Sequence, residues 1–252
     1  MYDFFSFYTN IKKEFVFNNF SVKHISAIVI IFAIVILCLF KLKKFNTKLQ
    51  NLIIKICAIA VPVLEISHNI WLAICSGAGF TELLSLHLCG LQMYFIPLAV
   101  FTKVILFKDF VFATSILGGI FAIVFPSGVA GNYPLWHFQT LQTFLYHGLL
   151  VFVPIAILVT TDYRPTIKRF YKVFNLFVFI ATFALFIDLK FNENYLFLVT
   201  SPDMPLLRNI QINYGTLPYL VFTFFALLII CISIHLPFDL YDKLHKKRLY
   251  NV

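Results

Sequence analysis

A histidine and a cysteine, His87 and Cys89, stand two residues apart in one long apolar stretch of this 252-residue chain, and His147 lies deep in another. A charge at mid-membrane costs about 2.5–3.5 kcal/mol, so each ionisable residue in such a stretch marks a candidate site. A thiol with an imidazole is the composition of an acyl-transfer site. The imidazole takes the thiol proton, the thiolate attacks an ester carbonyl, and an acceptor nucleophile then cleaves the thioester. Apolar surroundings disfavour a thiolate, so a base within hydrogen-bond reach is required. A third group that orients the imidazole would complete a triad-like arrangement. Glu65, His68, His87 and Asp188 are of the right type for that role, and residue types alone do not choose among them.

The elements that must hold these groups are set by hydropathy. With 61% hydrophobic residues, 12% charged residues and a mean hydropathy of +0.89, the chain has too little polar surface to cover a soluble globule. It reads as an all-α, polytopic membrane helix bundle. Apolar runs of roughly the 20 residues that a span needs extend over Ile25 to Leu42, Leu52 to Cys75, Leu83 to Phe107, Phe110 to Phe125, Phe138 to Thr161, Phe170 to Leu189 and Leu217 to Phe238. About seven transmembrane helices are expected, the fourth of them short. The first run follows a polar, basic segment with no small-residue cleavage site after it, and reads as a retained helix rather than a signal peptide. No linker rich in Gly, Ser or Pro interrupts residues 1–252, which are expected to form a single transmembrane domain.

Charge sets the orientation. Lys41, Lys43, Lys44, Lys48 and Lys55 flank the first connection, Lys103 and Lys108 the third, and Arg164, Lys168, Arg169 and Lys172 the fifth, while Lys243, Lys246, Lys247 and Arg248 follow the last helix. These make 15 of the 20 basic residues, all on one side if the helices alternate. The positive-inside rule makes that side cytoplasmic, with the N-terminus outside and the C-terminus inside. The net charge of +9 therefore reports topology and anionic headgroups, and no nucleic-acid partner is expected.

With that topology, polar residues of four helices fall in the outer half of the membrane. Glu65 and His68, three apart, share a face of the second helix. On a helical third segment, His87 and Cys89 point to different faces while Cys89 and Gln92 share one, so His87 is a poor base for its neighbour and is left either to support the site from behind or to lie on the substrate side. In the fifth helix Gln139, Gln142 and His147 descend from the outer end, His147 by about 15 Å at 1.5 Å per residue. The sixth brings Asp188 back near the outer surface. Glu65 is expected to pair with an imidazole or to face a wet cavity. Cys38, Cys57, Cys75 and Cys231 read as small apolar packing residues, and no disulfide framework is expected.

The run Leu84-Ser85-Leu86-His87-Leu88-Cys89, the run Phe144-Leu145-Tyr146-His147-Gly148-Leu149 followed by Pro154, the Tyr163-Arg164-Pro165 turn, the stretch Asn194-Tyr195-Leu196-Phe197-Leu198 and the stretch from Glu65 to Trp71 together resemble the YwaF-like integral membrane proteins. That family includes a eukaryotic acyltransferase that moves fatty acyl chains between phospholipids with a cysteine of a Leu-His-Leu-Cys motif and a histidine of a His-Gly motif. The resemblance implies Cys89 as the acyl-accepting nucleophile and His147 as its base. Gly90 and Tyr146 depart from the usual neighbours of those two residues, and Tyr146 in place of a small residue alters the shape of the pocket.

The expected function is therefore a multi-pass cell-membrane acyltransferase without a cofactor, with its active site open to the extracellular side. Glu65, His68, His87, Gln92, Gln142 and Asp188 would bind substrate or orient the catalytic pair. Its partners would be membrane phospholipids as donors and, as acceptor, a lysophospholipid, a glycolipid or the N-terminal amine of a lipoprotein. A small-solute or proton-coupled transporter or sensor is the alternative, since intramembrane polar groups also line transport pathways. A metal site on His68, His87, Cys89 and His147 is a third reading. Oligomeric state is not legible.

Overall fold

The computed structural model describes residues 3–202 and 204–250, excluding the side chains of Glu82, Asp242 and residues 245–250. The basic side chains of Lys246, Lys247 and Arg248 thus lie outside the described residues. All regular structure among the described residues is helical: α1 (Val22–Lys43), α2 (Thr47–Ser76), α3 (Gln92–Phe101), α4 (Ile105–Val124), α5 (Phe138–Thr160), α6 (Ile167–Phe191), α7 (Pro205–Tyr214) and α8 (Thr216–Tyr250). Among the described residues, six helices, α1, α2, α4, α5, α6 and the Thr216–Tyr241 part of α8, are long and apolar enough to cross a membrane. The protein is a multi-pass membrane protein. Its chain forms two compact units, Met1–Thr161 and Asp162–Val252.

In the first unit α5 is the central helix, packed by α1, α2 and α4, while α3 sits between α2 and α4. Buried residues cover 61% of the most apolar stretch of α5 against 17% for α1 and α2, so its neighbours, and not lipid, surround it. Glycines permit the closest approaches. A Cβ on Gly119 of α4 would stand 2.9 Å from the His147 carbonyl oxygen of α5, and one on Gly148 of α5 2.9 Å from Ile31 Cδ1 of α1. Small residues at such crossings let helix backbones meet, which is how helices associate where no hydrophobic driving force exists. Capping fixes the starts: Ser21 accepts from His24 N, Asn46 from Leu49 N and His137 from Gln139 N.

The expected third helix, Leu83 to Phe107, is not one helix. A short 3-10 turn (Thr81–Leu83) leads into irregular backbone over residues 84–91, and the ten residues of α3 end at Thr102, whose extended conformation separates α3 from α4. Hydropathy measures burial and carries no record of hydrogen bonding, so an apolar loop buried in protein looks the same as a span. Non-helical backbone is tolerated at such depth where side chains satisfy it. Two local features mark the interruption: Ser85 adopts φ +51°, and a Cβ on Gly90 would lie 2.5 Å from the Ser85 carbonyl oxygen. Because the break falls at 102–104, α4 starts earlier than the expected Phe110 and has a full 20 residues.

Across one end of the first unit runs the N-terminal segment. Phe4 O accepts from Phe138 N at 3.1 Å, Phe5 O from Trp71 Nε1 at 2.8 Å, and Phe17 N and O bond Tyr133 O and Gly131 N at 3.2 and 2.7 Å. The N-terminal segment thereby covers part of the loop before α5, where Tyr133 is 3% exposed. Burial pushes the Tyr133 phenol up to about 12. Burial also lowers the His137 imidazole below its ordinary value, with a hydrogen bond to the Ser6 backbone working the other way.

In the second unit, Asp239 of α8 caps α6 by accepting from Ile167 N and Thr166 Oγ1, both at 2.8 Å. At the other end of α6, Asn192 takes the left-handed conformation and the chain enters a 3-10 turn (Tyr195–Phe197).

Two outcomes follow from these contacts. Gly119→Ala and Gly118→Ala gain the same helix propensity, but only the first drives a Cβ into the backbone of α5. Gly119→Ala should therefore be less stable than Gly118→Ala by about 1–3 kcal/mol, read from thermal unfolding in detergent. His137 binds a proton less readily folded than unfolded, so its contribution is complete above its ordinary pKa of about 6.5 and is lost as pH falls below it. Hydrogen exchange at Gln139 and Phe138, corrected for intrinsic rates, should rise between pH 7.5 and 5.5. His137→Asn, which keeps a cap without the titration, should flatten that response.

Candidate functional site

Cys89 stands in the last part of the irregular segment, just before α3, and three helices hold that segment. From α2, Asn69 Nδ2 donates to Leu83 O and to Ser85 Oγ, both at 3.0 Å, and the Ser85 hydroxyl donates to Glu65 Oε1 at 2.8 Å. From α5, the Tyr146 hydroxyl donates to Cys89 O at 2.8 Å. At the start of α3, Gln92 Nε2 donates to Leu88 O and to Thr114 Oγ1 of α4, both at 3.0 Å. The thiol faces α4 at a glycine: a Cβ on Gly118 would stand 3.4 Å from Cys89 Sγ. Gly118 thus keeps side-chain bulk away from the sulfur. Cys89 is half-buried, whereas Gln92 is fully buried.

His147 follows Tyr146 on α5, with the two rings 5.3 Å apart and perpendicular. Its Nδ1 lies 2.7 Å from Thr143 O, one turn back. A carbonyl only accepts, so Nδ1 carries the proton, and the neutral ring presents a bare Nε2 lone pair. That is the tautomer a general base requires.

The other residues expected at the site fall in four different places. Glu65 lies within electrostatic reach of Cys89 and Tyr146, and His68 of His147. The Glu65 carboxylate takes its hydrogen bond from Ser85 instead of the imidazole partner expected from sequence. Gln142 Nε2 donates to Leu64 O at 3.2 Å and joins α5 to α2, and Gln92 braces the Cys89 turn. His87 is exposed, and since residues 84–91 are not helical, the opposite-face argument for it and the shared face of Cys89 and Gln92 do not apply. Asp188 belongs to the second unit, where its buried carboxylate accepts from Tyr195 N at 2.8 Å and holds the turn that follows α6.

Sequence offers Asn69 and Ser85 only within the stretches that carry the resemblance, Thr114 not at all, and Tyr146 only as a change of shape. Their signal is collective: each is a donor, an acceptor or a small residue in an otherwise apolar run. Among the described residues, no three His, Cys, Asp or Glu side chains are gathered so as to hold a metal ion. The arrangement joins a thiol held by its own backbone, an imidazole with a free acceptor nitrogen on the adjoining helix, and a carboxylate nearby. These are the residue types that general-base activation of a thiol uses.

No curated protein and no solved structure matches the chain. A family model, that of the TMEM164 family, matches residues 19–236. That range takes in α1 to α6, α7, most of α8 and all the residues gathered around Cys89, and on this match the chain belongs to the TMEM164 family.

Proposed function

We propose that this chain is a membrane acyltransferase that carries a fatty acyl group from a phospholipid, through a thioester on Cys89, to an outer-leaflet acceptor. The observation that carries the reading is the Tyr146 to Cys89 hydrogen bond, which ties the backbone of the cysteine to the residue beside His147, whose Nε2 is left free to accept. The resemblance of the two motifs to those of the YwaF-like acyltransferase supports it.

In the first half-reaction the Cys89 proton passes to His147 Nε2 as sulfur attacks the donor ester carbonyl. The tetrahedral adduct collapses, the carbon–oxygen ester bond breaks, and the departing lysophospholipid oxygen takes the proton from the imidazolium. In the second, His147 accepts the proton of the acceptor hydroxyl or amine as it attacks the thioester, and returns it to the leaving thiolate. Atoms and protons balance without a cofactor. The donor ester already lies near the hydrocarbon boundary, where a membrane-embedded site meets it without extracting the lipid. The acceptor is a lysophospholipid, a glycolipid or a lipoprotein N-terminal amine. Basic residues concentrated in alternate connections support a cell-membrane location with the N-terminus and the site on the extracellular side.

Incubation of the purified protein with diacyl phospholipid should add the mass of one acyl chain to Cys89. Cys89→Ser should abolish the adduct, and His147→Ala should slow its formation by about 10²–10⁴-fold, the usual share of a general base. An adduct that persists undiminished in Cys89→Ser would remove the assignment. Uptake of a labelled solute into proteoliposomes that survives this substitution would favour a transporter.

A further inference from the structure

We infer that Tyr146 is a positioning residue that sets the register between the Cys89 thiol and the His147 imidazole. The inference rests on the reading of those two side chains as nucleophile and base, and not on which lipid donates the acyl group. Tyr146 is 2% exposed and among the largest fully buried side chains of the protein. A hydroxyl so placed must be bonded, and it donates to the carbonyl of the residue that carries the thiol, at 2.8 Å. Cys89 lies outside regular helix, so no run of i to i+4 bonds fixes where its side chain points. The same carbonyl also accepts from Gln92 N at 3.0 Å, a bond that runs along the chain and leaves the turn unreferenced to α5.

The other clamps reference the turn to different helices. Asn69 and Glu65 fasten Leu83 and Ser85 to α2, several residues before the thiol, and Gln92 fastens Leu88 to α4 through Thr114. Tyr146 fastens Cys89 itself to α5, and the next residue of α5 is the base. Because His147 is tethered to Thr143 O within the same helix, the Tyr146 hydroxyl and the imidazole belong to one rigid segment. A displacement of the turn along α5 changes the sulfur-to-nitrogen geometry directly, and a misplacement of about 1 Å costs on the order of 10²-fold in a reaction that depends on near-attack geometry.

Tyr146→Phe removes the bond while keeping the ring in its packed place. The test measures alkylation of Cys89 by N-ethylmaleimide in the full-length protein, followed on the Cys89 peptide by mass spectrometry so that the other four cysteines do not contribute. Wild type, Tyr146→Phe, His147→Ala and the double variant are compared at one pH, with the unfolding midpoint of each. The expected result is slower alkylation in His147→Ala, a loss of about tenfold or more in Tyr146→Phe, and no further loss in the double variant, since Tyr146 acts through His147. Retention of the wild-type rate in Tyr146→Phe overturns the inference. So does a loss that multiplies with that of His147→Ala, because a merely structural role would add independently. An unaffected rate in His147→Ala overturns it as well, by dissolving the pair. Incubation of the wild type with phospholipid vesicles is the separate arm: without an acyl mass on Cys89 the acyl-transfer reading falls, while the four alkylation rates still decide the role of Tyr146.

Discussion

The first unit is organised by one requirement: every polar backbone group of a non-helical segment placed among apolar helices needs a partner. Residues 84–91 interrupt what hydropathy reads as a continuous span, and each unsatisfied backbone group in such a setting would cost several kcal/mol. The partners come from side chains of neighbouring helices. Asn69 serves Leu83 at the entry to the segment, and within it Gln92 serves Leu88 and Tyr146 serves Cys89. The polar residues that first suggest chemistry are thus partly structural, because they make the interruption possible. That does not diminish the site. Irregular backbone is what lets a thiol stand on a loop between two helices while the imidazole of His147 sits on a third.

The close crossing of α4 and α5 belongs to the same design. Gly118 and Gly119 are adjacent, so they occupy neighbouring positions on the α4 surface about 100° apart. Gly119 brings the α5 backbone in at the His147 carbonyl, and Gly118 opens the adjoining space for the Cys89 sulfur. A single pair of small residues therefore meets both the α5 backbone and the Cys89 sulfur. Gly90 does the equivalent inside the turn, where only the lack of a Cβ allows its approach to the Ser85 carbonyl.

Sequence makes the helical membrane class, most of the spans and the polar residues of the first unit legible, because composition and runs of apolar residues report burial and length. It does not make the interruption legible, since Leu86, Leu88 and Leu91 keep the hydropathy of a span whether or not their backbone is helical. The face of a residue is inherited from that assumption. The opposite-face argument for His87 and Cys89 presupposes 3.6 residues per turn, and the exposure of His87 arises instead from the bend of the loop. Beside the Tyr146 bond to Cys89 O, the pairing of Cys89 with His147 is an expectation from residue types and resemblance. It does not depend on the local conformation at Cys89. For Asp188, residue type and span position placed a carboxylate with the others, but its local task is to hold the turn at Tyr195 in the second unit.

Tautomer control is the point at which the packing becomes chemistry. In the neutral state an imidazole has one proton for two nitrogens, and a helix supplies a carbonyl acceptor one turn back to any residue whose side chain reaches it. Thr143 O fixes the His147 proton on Nδ1, so that the nitrogen directed away from the helix backbone is the one that accepts. A carboxylate in that position would favour the imidazolium by its charge. A carbonyl fixes the tautomer at smaller electrostatic gain, which suits an apolar surrounding where a lasting ion pair is expensive. The Glu65 carboxylate is instead engaged with Ser85 in the clamp on the turn. The clamp on the turn and the tautomer of the imidazole are thereby set by different groups, Glu65 and Tyr146 for the one and Thr143 O for the other.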